Sequence, residues 1–284
     1  MNRSSLKTTR DQYHRGARQI GFWLVLPLIC ILTASGCSIS SQIQQQLKIK
    51  TSLSGARIAP VGSVVTESAG ASSTLDLDSF GASDSSLRLA ASATIEHGPL
   101  RFFIDHIGTS NIGNGTYEGP LGGADLPLDS YRLETDLSTS RVLMEFPVPG
   151  IESDAESPLD LRIVAGLNLT ELRVALQSIA TPTTFSEIDE LAPAPIVGVH
   201  ANYAISPSWN LDAIFTLLPL SEITDYDAEC VDNLIRIGWS PSADWNLFLG
   251  ARNHSVELIG EQAGRPTEID LELDLVEIGV SYSF

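Results

Sequence analysis

From Leu87 to the C-terminus the chain repeatedly alternates apolar and polar residues with a period of two, the pattern of an extended strand whose faces meet different surroundings. The clearest instance is the last stretch, Leu275 to Phe284, where Val276, Ile278, Val280, Tyr282 and Phe284 share one face and Glu277, Gly279, Ser281 and Ser283 the other. Upstream, Leu159, Leu161, Ile163, Ala165, Leu167 and Leu169 alternate with Asp160, Arg162, Gly166, Asn168 and Thr170. Leu87 to Ile95, Val197 to Tyr203, Trp209 to Leu217, Glu229 to Trp239 and Trp245 to Leu258 repeat the pattern, with turn residues between them. On Tyr131 to Leu137 the alternation places Tyr131, Leu133 and Leu137 outward and Arg132, Glu134 and Asp136 inward. No helical period longer than two turns interrupts the series.

The terminal strand resembles the closing strand of small bacterial outer-membrane β-barrel proteins, which end in Phe, carry an aromatic two positions earlier and alternate apolar residues before it. The resemblance implies a strand read by the barrel-assembly machinery, through Val276, Ile278, Val280, Tyr282 and Phe284. The fold class expected is all-β, an antiparallel transmembrane β-barrel. Segments of nine to eleven residues or more favour a barrel over a soluble sandwich, and Trp209, Trp239, Trp245 and Phe284 gather at one predicted rim. Nine segments alternate, and Leu53 to Thr66 supplies a tenth despite Pro60. An even count then puts the turns at 97–99, 150–157, 206–208 and 240–244 on the periplasmic side and the longer 111–127, 179–191 and 262–266 regions outside. Ten strands fit; eight would require two segments to be demoted.

The N-terminus differs from the rest. Five basic residues against Asp11 alone precede the apolar run Ile20 to Leu32 and the small residues Ala34-Ser35-Gly36, the layout of a cleaved export signal over residues 1–36. The sequence Ala34 to Cys37 is similar to a lipobox, which makes Cys37 a candidate for lipidation, with simple cleavage nearby as the alternative. Residues 37–52 read as a polar tether and 53–284 as the barrel domain. Removing the leader moves the formal net charge from −18 to −22. So acidic a chain, without a basic stripe, excludes nucleic acid as a partner. Outer-membrane lipid and lipopolysaccharide remain as expected partners, with divalent cations bridging acidic loops.

With the apolar face on lipid, the inward face would carry Arg88, Arg132, Glu134, Asp136, Asp160, Arg162, His200, Asp212, Arg236, Arg252 and Glu277. Charges of both signs in a narrow interior require pairing or water. A structural polar plug with a structural or surface-interaction role leads, a narrow porin-like channel comes second, and a periplasmic β-sandwich lipoprotein is the alternative architecture. One catalytic arrangement merits a test. A simple hairpin about Ser242 sets Cys230 opposite His254, a thiol–imidazole pair suited to a rim-located hydrolase, with Asp225, Asp227 and Glu229 nearby. His97, His106, His200 and His254 lack metal-ligand spacing, and no cofactor motif is present.

Overall fold

The computed structural model describes residues 47–68, 71–149, 157–219, 222–223, 226–262 and 264–284. The export signal and Cys37 lie outside them. Residues from Lys48 to Phe284 form one unit built from twelve strands: β1 (Leu47–Ser68), β2 (Ala71–Asp76), β3 (Ser86–His97), β4 (Leu100–Leu121), β5 (Ala124–Pro147), β6 (Leu159–Ser178), β7 (Phe185–Ser206), β8 (Trp209–Leu217), β9 (Glu222–Ile223), β10 (Tyr226–Trp239), β11 (Trp245–Gln262) and β12 (Arg265–Ser283). β1 already begins at Leu47, so residues 47–52, expected in the tether, belong to the wall.

The hydrogen-bonded path runs β11-β12-β1-β3-β4-β5-β6-β7-β8-β10-β9, and β10 also pairs with β11, which closes the sheet into a ring. Among the described residues β9 pairs only with Tyr226 and Asp227, and β2 only with the end of β1, so ten of the described strands make the circumference. That is the number expected from the turns, and a closed ring removes the β-sandwich alternative. The closing strand finds its expected partner: Leu53 pairs with Val280 and Thr66 with Thr267, and the Phe284 N–H donates to the Ile49 carbonyl at 2.8 Å. We call this end the terminal rim and the opposite end distal.

Strand length sets the architecture. β1 and β4 each have 22 residues, roughly 70 Å at ~3.3 Å per residue. Tilted by about 40°, they stand roughly twice as tall as the ~25 Å apolar band of a membrane barrel. One environment cannot suit the whole strand, and the residues show the change. On β12, Val276 and Ile278 point outward, 56% and 70% exposed, while Glu277 and Ser281 are buried inside. From Leu275 back to Thr267 the phase reverses: Leu275, Leu273, Leu271 and Ile269 are buried inside, and Asp274, Glu272, Asp270 and Glu268 take the outer face. No residue is inserted at the switch. β6 reverses between Leu169, exposed outside, and Leu172, buried inside. β5 reverses between Val142, exposed, and Leu137, buried. The terminal half is therefore apolar outside and polar inside, and the distal half is the opposite.

Two expectations fail for this reason. The Gly-rich region 111–127 is not a loop: β4 continues to Leu121 and turns through Gly122 and Gly123, at φ +50° and +84°, into β5 at Ala124. Two consecutive positive-φ residues suit a tight hairpin and favour glycine. Likewise β7 begins at Phe185, and β12 at Arg265, so the 179–191 and 262–266 regions are mostly strand. Chain expected to loop outside instead extends the wall.

The distal mouth is covered by residues 71–84. β2 lies on Ser63–Ser68 of β1, and a short 3-10 turn, Asp78–Phe80, follows. Leu75, Leu77, Phe80 and Ala82 join the apolar core formed by the inner faces of the strands. Asn111 of β4 holds this cap by donating from Nδ2 to the Ala82 and Asp84 carbonyls, both at 2.8 Å. The cap fits because Gly113 has no side chain: a Cβ there would stand 2.1 Å from the Phe80 carbonyl oxygen. Gly113→Val is expected to displace the cap at a cost of about 1–3 kcal/mol, the range for overpacking. Limited proteolysis should then cut within residues 71–84, which stay protected in the parent; equal protection would contradict this packing.

Candidate functional site

The lumen of the terminal half is filled by two tiers of ion pairs. Nearest the rim, Arg101 of β4 reaches Glu96 at 2.8 Å, Asp160 at 3.2 Å and Glu145 at 3.3 Å. Arg162 holds Asp160 at 2.9 Å. His200 bridges Glu145 through Nδ1 at 2.9 Å and Asp212 through Nε2 at 2.7 Å. Arg236 pairs with Glu277 at 2.6 Å, and the Ser54 hydroxyl donates to the other Glu277 oxygen at 2.6 Å. These side chains all come from strands whose inner positions alternate with the exposed apolar belt, so the pleat alone directs them inward.

The second tier is a quartet. Arg141 of β5 donates through Nε to Asp105 at 3.0 Å and through Nη1 to Asp232 at 2.9 Å. Arg252 of β11 donates through Nε to Asp232 at 3.0 Å and through Nη1 to Asp105 at 3.3 Å. Each guanidinium thus touches both carboxylates, and two positive charges cancel two negative ones. β4 and β5 lie across the ring from β10 and β11, so the quartet ties opposite walls together. Arg141 is fully buried, and Asp105, Asp232 and Arg252 are buried with it. Cross-strand pairs put this plane at the level where the outer face changes character: Arg252 pairs with Leu275 on β12, and Arg141 with Asn168 on β6. Beyond it the interior is apolar, with Leu133, Val174, Leu176 and Ile188 buried.

Of the inward charges expected from sequence, Asp160, Arg162, His200, Asp212, Arg236, Arg252 and Glu277 face the lumen in these tiers. Arg88 is also on the inner face, where it donates to the Ser110 carbonyl. Arg132, Glu134 and Asp136 are a correction. Tyr131, Leu133 and Leu137 are buried inside, and the three charged residues take the outer face of the distal half. There Glu134 and Asp136 approach Arg173, which also pairs with Glu187. The lumen residues that sequence reading left out are Asp105, Arg141, Glu145, Asp232 and Arg101. Their signal was present in residues 141–146, where Arg141 and Glu145 alternate with Val142, Met144 and Phe146.

The thiol–imidazole pair is also a correction. Cys230 pairs with Val256, and His254 with Asp232, a register two positions from the one expected. His254 Nδ1 lies 3.0 Å from Asp232 Oδ2. The Cys230 sulfur instead receives a hydrogen bond from Asn168 Nδ2 at 3.4 Å. Asp225, a suggested orienting acid, lies outside the described residues. The terminal rim carries the expected aromatics: Trp209 pairs with Trp239, and Trp245, Tyr282 and Phe284 stack edge to face at centroid distances of 4.8 and 4.7 Å.

No protein-family model and no curated protein sequence matches the chain. Solved structures do. The outer-membrane protease OmpT of Escherichia coli aligns over 84% of this chain and 97% of its own, with a TM-score of 0.58 at 10% identity. The translocator domain of the autotransporter NalP from Neisseria meningitidis aligns over 97% of both chains, with a TM-score of 0.39 at 11% identity. OprG of Pseudomonas aeruginosa covers 84% of this chain and 95% of its own, with a TM-score of 0.36 at 14% identity. The structural neighbours are bacterial outer-membrane β-barrel proteins, and the chain shares the closed antiparallel barrel fold.

Proposed function

We propose that this chain is an outer-membrane protein whose terminal half spans the bilayer and whose distal half stands in water as a closed, surface-exposed post, with a structural or surface-interaction role. The observation that carries this reading is the reversal of phase along single strands. Val276, Ile278, Leu247, Leu249, Ile163 and Leu167 expose large apolar side chains side by side in one belt of the terminal half, and an exposed apolar belt of this extent in a folded protein marks contact with membrane or partner. The aromatic rim below the belt matches the interfacial girdle of membrane barrels. On this reading the terminal strand addresses the chain to the barrel-assembly machinery, and the outer acidic face of the distal half meets lipopolysaccharide and its cations.

A conducting pore is disfavoured by the interior itself. The quartet spans the lumen, and the cap with the distal part of the apolar core lies beyond it. Catalysis at Cys230 and His254 is disfavoured by their register. The purified protein in planar bilayers should therefore give no stable conductance steps, while its band on unheated gels migrates differently from the boiled one. Reproducible steps would favour the channel, and the absence of heat modifiability would count against the membrane barrel.

A further inference from the structure

β8 is the shortest strand of the ring. Its last pairings are Val197–Leu217 with β7 and Val231–Leu217 with β10, extended only by the Leu218 N–H donating to the Cys230 carbonyl at 2.9 Å. Among the described residues no strand continues along the β7 edge beyond Val197, although β6 pairs with its other edge as far as Phe185. The free edge is the one that carries Pro193 and Pro195. The Ala204 N–H donates to Pro158 on the β6 side, and pairing continues from there to Phe185 without a register shift. Even-numbered residues of β7 therefore direct their N–H groups to β6 and odd-numbered ones away from it. The two prolines fall where a missing N–H costs no ladder bond and no further strand can add.

Beside this edge lies a cavity of about 180 Å³, lined by described residues of both faces of the wall. Leu191, Pro193 and Glu229 line its outer part, and its inner part is lined by Ala194, Ala228, Val256 and Leu258 together with the polar Thr170 and Glu190. Three alanines on the inner face, at 192, 194 and 228, leave the room. An enclosed cavity of ~150 Å³ lined by apolar side chains takes up hydrocarbon guests, and here Leu191, Pro193, Val256, Leu258 and the alanines supply such a surface between the polar groups. On β7 the outward residues beside the mouth, Val197, Pro195, Pro193 and Leu191, are the last apolar ones before Asp189 and Glu187. The mouth thus opens at the upper edge of the apolar belt.

Building on the membrane-barrel reading, we propose that this cavity is a lateral binding site for one unbranched alkyl chain, entering through the wall from the belt, with its head at the Glu229 side. The carboxylate of Glu229 disfavours an anionic head there and favours a neutral or cationic one. The cavity and the membrane reading can fail separately, because the test below maps which face of the wall is touched.

The experiment is photo-crosslinking of the full chain in nanodiscs with a dodecylamine bearing a diazirine at the chain end, followed by peptide mapping. Adducts are expected on the inner-face residues Val256 and Leu258, as well as on outward belt residues such as Leu211 and Phe215. Ala194→Trp, and separately Ala228→Phe, should abolish the inner-face adducts and leave the belt adducts unchanged. Adducts confined to the belt, or inner-face adducts that persist in both filled variants, would overturn the site. Belt residues without adducts would contradict the membrane reading instead. The same chain ending in a carboxylate should label the inner face less; equal labelling would overturn the assigned head position. A phospholipid with the diazirine at its acyl terminus separates the sources: inner-face labelling by it assigns a membrane lipid, and labelling by the free amine alone assigns a diffusible amphiphile.

Discussion

Replacing Arg141 by leucine is expected to lower the unfolding free energy by about 3–5 kcal/mol, the range for stripping one partner from a buried ion pair. Arg141 is fully buried and lies against both Asp105 and Asp232. Its loss leaves two buried carboxylates to Arg252 alone, one net charge in a lumen whose wall is backed by apolar side chains. Denaturant unfolding of the protein folded in micelles measures the loss. Adding Asp105→Leu should recover part of it, because Asp232 and Arg252 then form a neutral pair and a carboxylate without a second partner has gone. If the double variant costs as much as the two single losses added together, the quartet is not a coupled unit.

The second large effect is positional. Ile278→Arg puts a charge on the outward face of β12 within the belt, where Ile278 is 70% exposed. The cost is expected to be about 2–4 kcal/mol if that face meets the bilayer interior. Glu268→Arg, on the same face of the same strand but in the distal half, should change stability by no more than about 0.5 kcal/mol, as for an ordinary surface substitution. Two arginines on one face, differing only in height, thus report where the apolar surroundings end. Equal effects would mean that the face meets one environment throughout.

The fold was legible because a period of two survives any change of surroundings. The alternating segments, the even count and the pairing of the last strand with Leu53 to Thr66 all follow from it. What alternation does not say is which face is inside. Applying the lipid rule, apolar outward, to Tyr131, Leu133 and Leu137 put Arg132, Glu134 and Asp136 in the lumen. They stand above the belt, where the outer side chains are polar and the inner ones apolar, so the rule reverses. The cue was in the same strand: apolar residues occupy odd positions at 131, 133 and 137 and even positions at 142, 144 and 146, with no insertion between. The same shift from odd to even occurs between Leu275 and Val276.

The quartet was less legible because it is made across the ring. Asp105 and Arg141 are cross-strand neighbours, as are Asp232 and His254. The contact between Arg141 and Asp232, 91 positions apart, depends on the circumference closing with β5 facing β10. Nothing local in the sequence encodes it. The Cys230–His254 register failed for a simpler reason: a hairpin loop whose length is misjudged by two residues slides every pair by two while keeping each side chain on its face.

The most direct test of the account follows spin labels placed singly along β12 in lipid vesicles. Labels at 276, 278, 280 and 282 should be reached by oxygen and shielded from a water-soluble nickel complex, as lipid-facing sites are. Labels at 268, 270, 272 and 274, on the same face, should show the opposite preference, with the crossover between 274 and 276. A uniform preference along all eight positions would contradict the reversal on which the membrane reading, the closed distal half and the height of the quartet all depend.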